Sequence, residues 1–363
     1  MPQVPLLFSC SKVYSVCSNS EKVDYMPDFK KERLLKSIKI FLPLALLIIA
    51  SVEIHQFAAG IHVSVLKKEL NEFSYPELAT VFLLTCGAIV PMFFYDAILL
   101  QLLRADITLG RLLRISFIAN SFSNLIGFGG FAGAMLRTYF YGRYERDKRV
   151  LLRTIASVSL FYLTGISLLS WMIAAGYRNY PLLADAKWLV LAVFAVSLYL
   201  PAFLFFTFRR LKEDGANIID SQTAIRLVTV SLFEWMAIYA VIIYIASILH
   251  LPAGAGSLFP VFVIASCAGI VSMIPGGLGS FDLVFIWGTQ EIGIPDEKVV
   301  VLLLLYRIGY LLLPFIFGVI LLIKEYWDKW IHFLGRCDEG ANIALLKPQP
   351  DNSILDKAKK NRP

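Results

Sequence analysis

Five charged side chains lie within or at the ends of long apolar segments of this sequence. They are three carboxylates and two arginines: Asp96, Glu234, Asp282, Arg137 and Arg307. A charge at membrane depth is costly, and where one is retained it usually has a function. The planar fork of arginine suits a phosphate, and carboxylates suit ammonium groups. The set therefore matches a ligand that carries both a phosphate and amines, although other zwitterions and cations also fit.

Several of these polar residues also have a purely structural interpretation. Arg137 can anchor a helix at the membrane interface, and Asp96 can reach the headgroup region or pair with Arg104 or Arg137. Asn120 and Asn124 lie four residues apart, on one face of a helix. Ligand contact, helix capping and interhelical hydrogen bonds all remain open for the two asparagines.

Two glycine-rich stretches interrupt the apolar runs. The first (127–133) and the second (275–282) contain Gly127, Gly129, Gly130, Gly133, Pro275, Gly276, Gly277 and Gly279. A helix that breaks inside a bilayer must pack on protein or line a wet cavity, because its backbone groups need partners. Close helix packing is the alternative for single glycines. It explains less well the run PGGLG, which a carboxylate follows three residues later, so we expect a substrate path at the two breaks.

The composition indicates a membrane protein. Of 363 residues, 58% are hydrophobic and 17% are charged, and the mean hydropathy is +0.68. An apolar run of about 20 residues is enough for one helical crossing. Six such runs predict an all-α polytopic protein with six crossing helices: 40–60, 78–100, 154–176, 188–208, 227–250 and 299–323.

Lysine and arginine are distributed unevenly among the segments that separate these runs. A total of 26 lie in five segments, 29–39, 104–114, 137–153, 209–226 and 324–363. Another five lie in the remaining segments, 61–77, 177–187, 251–258 and 291–298. Basic segments stay in the cytoplasm, so the first group and both chain termini are expected there.

Two apolar segments cannot be single crossings if this topology holds. Segment 115–136 lies between two basic segments, and segment 259–290 lies between two segments poor in basic residues. Each is therefore predicted to be a re-entrant hairpin around one glycine-rich stretch, the first from inside and the second from outside. The resulting order predicts two inverted repeats, 40–176 and 188–323, a plan that recurs in transporters.

The remaining features bound the domains and exclude several classes of site. Residues 1–28 are predicted to be a disordered extension, 29–325 the membrane domain and 326–363 a polar cytoplasmic tail. No GxxxxGKS or GxxxxGKT loop occurs, and the first glycine stretch has GxGxxxG spacing, so we expect no nucleotide cofactor. The five cysteines form no CxxC pair and the four histidines are scattered, so we expect neither a disulfide framework nor a metal site. The net charge of +7 resides beside the spans, so no nucleic acid partner is expected.

Four motifs together resemble one bacterial family. They are SFIANSFSNLIGFGGFAGAMLR (116–137), Glu234 with Trp235, IPGGLGSFD (274–282) and LLYR (304–307). In order and spacing, over residues 29–325, the chain resembles the multiple peptide resistance factors. These proteins are also called phosphatidylglycerol lysyltransferases or lysylphosphatidylglycerol synthases.

The resemblance implies a function for the membrane domain. In this family an N-terminal membrane part moves the aminoacylated lipid to the outer leaflet. Further spans and a cytoplasmic synthase domain transfer lysine from lysyl-tRNA to phosphatidylglycerol. The chain resembles the first part alone, so the resemblance implies no catalytic domain here. It implies functional roles for Asp96, Arg137, Glu234, Asp282 and Arg307 in the bacterial cytoplasmic membrane.

The expected function is translocation of lysyl-phosphatidylglycerol, which gives resistance to cationic antimicrobial peptides. In the expected mechanism Asp96, Glu234 and Asp282 neutralise the lysyl ammonium groups, and Arg137 and Arg307 hold the phosphate. One alternative is the membrane part of a phosphatidylglycerol lysyltransferase that needs a separate synthase domain. Another is a carrier for a different lipid-linked substrate or a small solute. A homo-oligomer is also open.

Overall fold

The computed structural model describes residues 73–126, 130–145, 147–214 and 219–325. Up to Leu321 they belong to one compact unit, Ile38–Leu321, while a second unit combines Met1–Ser37 with Leu322–Pro363. Several predictions fall outside the described residues and concern the extension 1–28, the span 40–60, Gly127, Gly129 and the tail 326–363.

The described chain is helical, and it contains no strand within these residues. In order, its helices are α1 (Tyr75–Leu102), α2 (Leu109–Ile126), α3 (Phe131–Tyr141), α4 (Lys148–Ala175), α5 (Pro181–Asp185), α6 (Lys187–Asp214), α7 (Ser221–Ile248), α8 (Ala255–Val271), α9 (Ser280–Gln290) and α10 (Asp296–Glu325). Five of them, α1, α4, α6, α7 and α10, are long and apolar enough to cross a membrane. The prediction of an all-helical membrane protein is confirmed, and these five helices coincide with five of the six predicted crossings.

The helices α2 and α3 fold back on each other around the first glycine stretch. Gly133 of α3 packs so closely on α2 that a Cβ there would lie 3.0 Å from Ser123 Cβ. Further along α3, Arg137 donates a hydrogen bond to Asn120, which lies earlier in α2. Later residues of one helix thus contact earlier residues of the other, so the pair is antiparallel.

The helices α8 and α9 form a second antiparallel pair around the second glycine stretch. Gly269, late in α8, lies against Phe281, and Gly288, late in α9, lies against Val261 near the start of α8. Both α3 and α9 have 11 residues. A helix of that length spans about 16 Å, roughly half of the ~30 Å hydrocarbon core of a bilayer. Neither short arm is long enough to cross, so both pairs have the dimensions of a re-entrant hairpin.

The tips of the two hairpins meet. Gly276 adopts a φ of 60°, which a residue with a side chain rarely tolerates, and it lies against the end of α2. A Cβ at this position would be 3.3 Å from the Leu125 carbonyl oxygen and 3.9 Å from that of Asn124. Gly130, which precedes α3, has a φ of 82° and reverses the chain at the first tip.

A break in α4 fixes α7 beside it. The α-helical ladder of α4 gives way to a 3₁₀ turn at Leu160–Leu163, which frees backbone groups on both sides of the turn. The Ser231 hydroxyl of α7 donates to the Tyr162 carbonyl at 3.0 Å and accepts from the Gly165 N–H at 2.8 Å. Trp235 donates to the same carbonyl at 3.1 Å. Gly165 is in backbone contact with Ser231, so any Cβ at Gly165 would overlap α7.

We expect Gly165→Ala to destabilise the protein, because the added methyl group collides with backbone that cannot move aside. Overpacking of this kind costs about 1–3 kcal/mol or more. Gly256→Ala in the first turn of α8 is the matched control, since nothing lies within 4 Å of the added methyl. Thermal unfolding of both variants in detergent measures the difference, and equal melting temperatures would contradict the α4–α7 crossing.

Candidate functional site

Asp96 of α1 and Arg137 of α3 form an ion pair inside the helix bundle. Arg137 Nε donates to Asp96 Oδ1 at 2.8 Å, and Arg137 Nη2 donates to Asp96 Oδ2 at 2.9 Å. The two residues are 0% and 1% exposed, respectively. Of the structural alternatives open for Asp96, the structure therefore selects pairing with Arg137, and both side chains are buried within the protein.

The other lone pairs of Asp96 are filled by neighbouring hydroxyl and amide groups. Ser116 donates to Oδ2 at 2.7 Å, Asn120 donates to Oδ2 at 3.3 Å, and Tyr141 donates to Oδ1 at 3.1 Å. Asn120 also accepts a bond of 2.6 Å from Arg137 Nη2. A buried ion pair offsets its desolvation only when such extra hydrogen bonds are present. The network ties the returning arm of the first hairpin to the crossing helix α1.

Asp282 of α9 and Arg307 of α10 form a second ion pair, at the tip of the other hairpin. Arg307 Nη2 lies 2.7 Å from both carboxylate oxygens of Asp282, and Nε donates at 2.9 Å. The same guanidinium donates to the carbonyls of Gly276 and Gly277 at 3.3 and 3.4 Å. Asp282 Oδ2 in turn accepts from the Gly279 N–H at 2.9 Å. This pair supplies partners to the backbone groups that the glycine break frees.

The π-helical turn Ile308–Leu312 follows directly after Arg307 within α10. Such turns occur often at functional sites, because they shift side chains and free a carbonyl. Gly309 within this turn lies against Thr85, where a Cβ would be 2.8 Å from Cγ2. The irregular turn therefore lies where α10 crosses α1.

Glu234 of α7 differs from the other four charged residues. It is 7% exposed, and its Oε2 atom has no hydrogen-bond partner among the described residues. The nearby groups with which it interacts electrostatically include Arg137, Tyr95 and Tyr310. The sequence therefore predicted its location correctly, deep in the bundle, and the structure shows that no cation neutralises it at contact distance in this part of the chain.

Several unpartnered polar atoms collect around Glu234 and Arg137. Besides Glu234 Oε2, they are Arg137 Nη1 and the hydroxyl groups of Tyr95, Tyr162 and Ser159. The rings of Tyr95 and Tyr162 are 4.4 Å apart, and the Arg137 guanidinium lies 5.6 Å from the Tyr162 ring centroid. Buried polar atoms are nearly always hydrogen-bonded to protein or to water, so several without a close partner in one place mark a candidate site for water, an ion or a ligand. We call these five residues the polar cluster.

The structure brings most of the predicted site residues together at the hairpins. Asn124, at the end of α2, contacts the second tip through its carbonyl, and its amide lies 3.5 Å from Met92 Sδ. Gly130, Gly276, Gly277 and Gly279 all have positive φ at the tips, whereas Gly133 packs within the first hairpin. Pro275 begins the short turn between α8 and α9.

Several residues of the site were not singled out from the sequence. They are the tyrosines and serines that surround the charges: Tyr95, Tyr141, Tyr162, Tyr310, Ser116, Ser159 and Ser231. A signal for some of them exists in the sequence, because Tyr95 directly precedes Asp96 and Tyr141 follows Arg137 by one helical turn. Ser231 and Tyr162 give no such signal, since their roles depend on the break in α4.

In this conformation the charged residues do not have the ligand-binding roles that the sequence predicts for them. Asp96, Asp282, Arg137 and Arg307 neutralise one another rather than face a ligand. A ligand with both signs of charge can replace either partner of each pair, whereas a simple cation or anion can replace one partner only. The polar cluster contains buried donors and acceptors that can form new hydrogen bonds.

Comparison with known proteins places the chain in a family of membrane proteins. The chain is 33% identical over 292 residues to phosphatidylglycerol lysyltransferase of Staphylococcus aureus (strain MRSA252), which covers 80% of this chain and 34% of that protein. It is 31% identical over 305 residues to phosphatidylglycerol lysyltransferase of Staphylococcus haemolyticus (strain JCSC1435), covering 83% of the chain and 36% of that protein. The chain therefore spans about a third of the length of these curated relatives. The family described as "Lysylphosphatidylglycerol synthase TM region" matches residues 38–318, which include both ion pairs and both hairpins, and the chain belongs to this family.

Proposed function

We propose that this protein translocates lysyl-phosphatidylglycerol from the inner to the outer leaflet of the bacterial cytoplasmic membrane. The observation that carries the proposal is the polar cluster, in which Glu234 lies buried and without a cationic partner in the described structure, near the hairpins. Membership of the family supports the choice of lipid, since its description names lysylphosphatidylglycerol.

The chemistry of the headgroup fits the polar cluster. A lysyl ester of phosphatidylglycerol carries two ammonium groups and one phosphate. Glu234 can pair with an ammonium group, while the hydroxyls of Tyr95 and Tyr162 can accept hydrogen bonds from its remaining N–H groups. The free Nη1 of Arg137 lies in the same cluster and can donate to a phosphate oxygen. The acyl chains stay in the surrounding lipid, so the headgroup alone enters the protein.

In this proposal the two ion pairs are contacts that the charged headgroup can displace. Each holds one arm of a hairpin to a crossing helix, α3 to α1 through Asp96 and Arg137, and α9 to α10 through Asp282 and Arg307. A headgroup with both signs of charge can offer a phosphate to the arginine and an ammonium group to the carboxylate. When one ion pair breaks at a time, the two inverted halves can rotate relative to each other. The site then opens first to one leaflet and afterwards to the other.

Translocation changes the outer surface of the cell. Lysyl-phosphatidylglycerol carries a net positive charge, whereas phosphatidylglycerol is anionic. An anionic surface attracts a basic residue by about 1 kcal/mol. A peptide with several lysines therefore binds much less tightly once part of the outer leaflet carries the lysyl lipid, and the cell resists such peptides.

A second function is favoured by the names of the relatives, which are lysyltransferases. In that case the chain is the membrane part of the transferase and works with a separate synthase domain. Incubation of the purified chain with lysyl-tRNA and phosphatidylglycerol separates the two functions. We expect no lysyl lipid to form, and its formation would support the transferase.

We expect the chain to raise the amount of lysyl lipid in the outer leaflet of cells that also express a separate synthase. A membrane-impermeant amine reagent labels this lipid on intact cells, and extraction gives the total amount. The labelled fraction should rise with the chain while the total stays constant. Equal labelling with and without the chain, at equal total amounts of lysyl lipid, would contradict the proposal.

The proposal also distinguishes Glu234 from Asp96 by stability. Asp96→Asn leaves the Arg137 guanidinium buried without a counter-charge, which typically costs about 3–5 kcal/mol. Glu234→Gln removes a buried ionisable carboxyl group that has no cationic partner in the described structure, so we expect it to fold as well as the unmodified protein.

The expected loss in Glu234→Gln is functional. A lost contact of 1.4 kcal/mol or more to the ammonium group lowers affinity at least about tenfold. Thermal unfolding and leaflet labelling, measured on the same preparations, check both effects. Glu297→Gln, at the exposed start of α10, is the control that should change neither. Normal translocation by Glu234→Gln would show that Glu234 does not hold the headgroup.

A further inference from the structure

Among the five charged residues of the candidate site that the structure describes, acids outnumber bases by three to two. Asp96 is neutralised by Arg137 and Asp282 by Arg307, each at hydrogen-bond distance. Glu234 is then the surplus acid of this set. Leaving an isolated carboxylate in a low-dielectric interior is so unfavourable that such a group instead binds a proton or a cation.

The titratable groups that interact with Glu234 come from three of the helices packed on α7. Tyr95 on α1, Tyr162 in the 3₁₀ turn of α4 and Tyr310 on α10 are titratable but neutral at physiological pH. The helix α8 contributes no acid or base other than the Cys267 thiol, and Arg226 is the other charged residue of α7.

Arg137 of α3 is the cation whose charge acts on Glu234. Most N–H groups of Arg137, however, already donate hydrogen bonds to other residues. Its Nε and Nη2 atoms donate to Asp96 and Asn120 at 2.6–2.9 Å. Its charge is therefore shared first with Asp96. The tyrosine hydroxyls can donate to a carboxylate or accept from a carboxylic acid, so the same surroundings accommodate both forms of Glu234.

We propose that Glu234 binds a proton and the lysyl ammonium group in alternation, so that export of the lipid is coupled to entry of a proton. This inference rests on the proposed function and adds its driving force. Aromatic rings stabilise a cation that approaches their faces, and Tyr95 and Tyr162 lie side by side within the polar cluster. The site therefore accepts an ammonium group at the moment when Glu234 loses its proton.

The exchange is balanced in protons and in charge. On the cytoplasmic side the ammonium group enters, the Glu234 carboxylic acid releases its proton to cytoplasmic water, and the carboxylate pairs with the ammonium group. On the outer side a proton from external water binds the carboxylate, and the lipid leaves with both ammonium groups still protonated. The headgroup carries one net positive charge outward and one proton returns, so no net charge crosses the membrane.

Electroneutral exchange removes the effect of the membrane potential on export of the cationic lipid. A cation that moves outward alone works against a membrane potential that is negative inside. Exchange for a proton cancels this term and leaves the proton concentration difference as the driving force. A more acidic exterior then pulls the lysyl lipid into the outer leaflet.

The first test follows the proton on Glu234 itself. Infrared difference spectroscopy of the full chain in phosphatidylglycerol vesicles detects the carbonyl band of a protonated carboxylic acid. We expect this band in the unmodified protein and in Glu297→Gln at neutral pH, and its loss in Glu234→Gln. Adding lysyl-phosphatidylglycerol to the vesicles should abolish the band, whereas more phosphatidylglycerol should not. A band that is absent at the outset, or that persists with the lysyl lipid, would overturn the inference.

The second test measures coupling. Vesicles that contain the protein and lysyl-phosphatidylglycerol in both leaflets are placed in a medium more acidic than their lumen. For one-to-one exchange, the outer-to-inner ratio of the lipid should approach the outer-to-inner ratio of proton concentration, whichever way the protein is inserted. Collapse of the gradient by a proton ionophore should return the ratio to that of symmetric vesicles.

The outcomes separate this inference from the function on which it rests. Lipid movement with a leaflet ratio that ignores the pH gradient would overturn proton coupling and leave translocation standing. Absence of lipid movement under any gradient would contradict translocation. Loss of the carboxylic acid band on addition of the lysyl lipid would then still support exchange at Glu234.

Discussion

Inside a bilayer, every charge and every freed backbone group must find its partner within the protein. The guanidinium of Arg307 meets this constraint twice, because it pairs with Asp282 and also donates to the carbonyls of Gly276 and Gly277. Without it, the second hairpin would have to reverse direction with unpaired backbone carbonyls at membrane depth. The helix break, the partly buried Asp282 and the arginine are thus parts of one arrangement.

The same constraint organises the first hairpin and the helices between the two. Asp96 and Arg137 hold the first hairpin to α1, and Ser231 bridges the two ends of the break in α4. Regular helices would leave no polar backbone free, so the irregular turn in α4 is where the side chains of Ser231 and Trp235 of α7 find partners. Glu234 departs from this pattern, since its Oε2 atom has no hydrogen-bond partner in the described structure, as do the other unpartnered atoms of the polar cluster. A group of such atoms is expected where a protein binds water, an ion or a ligand.

Much of this fold is predictable from the sequence, for physical reasons. The long apolar runs predicted the five long apolar helices that the structure describes. The uneven distribution of Lys and Arg among the loops identified the two segments that fold into antiparallel helix pairs. The buried positions of Asp96, Glu234 and Arg307 follow from their places within apolar runs. The sequence left pairing of Asp96 with Arg104 or Arg137 open and could not select between them, because Asp96 and Arg137 are 41 residues apart and meet only once the first hairpin folds back. The contributions of Tyr162 and Ser231 depend on a local break in α4 that no glycine or proline marks.

Entry of the two hairpins from opposite faces of the membrane is the central claim, and accessibility to a membrane-impermeant thiol reagent tests it most directly. In a background that lacks the five native cysteines, Thr108→Cys and Lys148→Cys flank the first hairpin, and Ser257→Cys and Glu291→Cys lie at the two ends of the second. All four positions are exposed. We expect the first two to react only from the cytoplasmic side and the last two only from outside. Reaction of Thr108→Cys and Lys148→Cys from different sides would make α2 and α3 a crossing and would contradict the account.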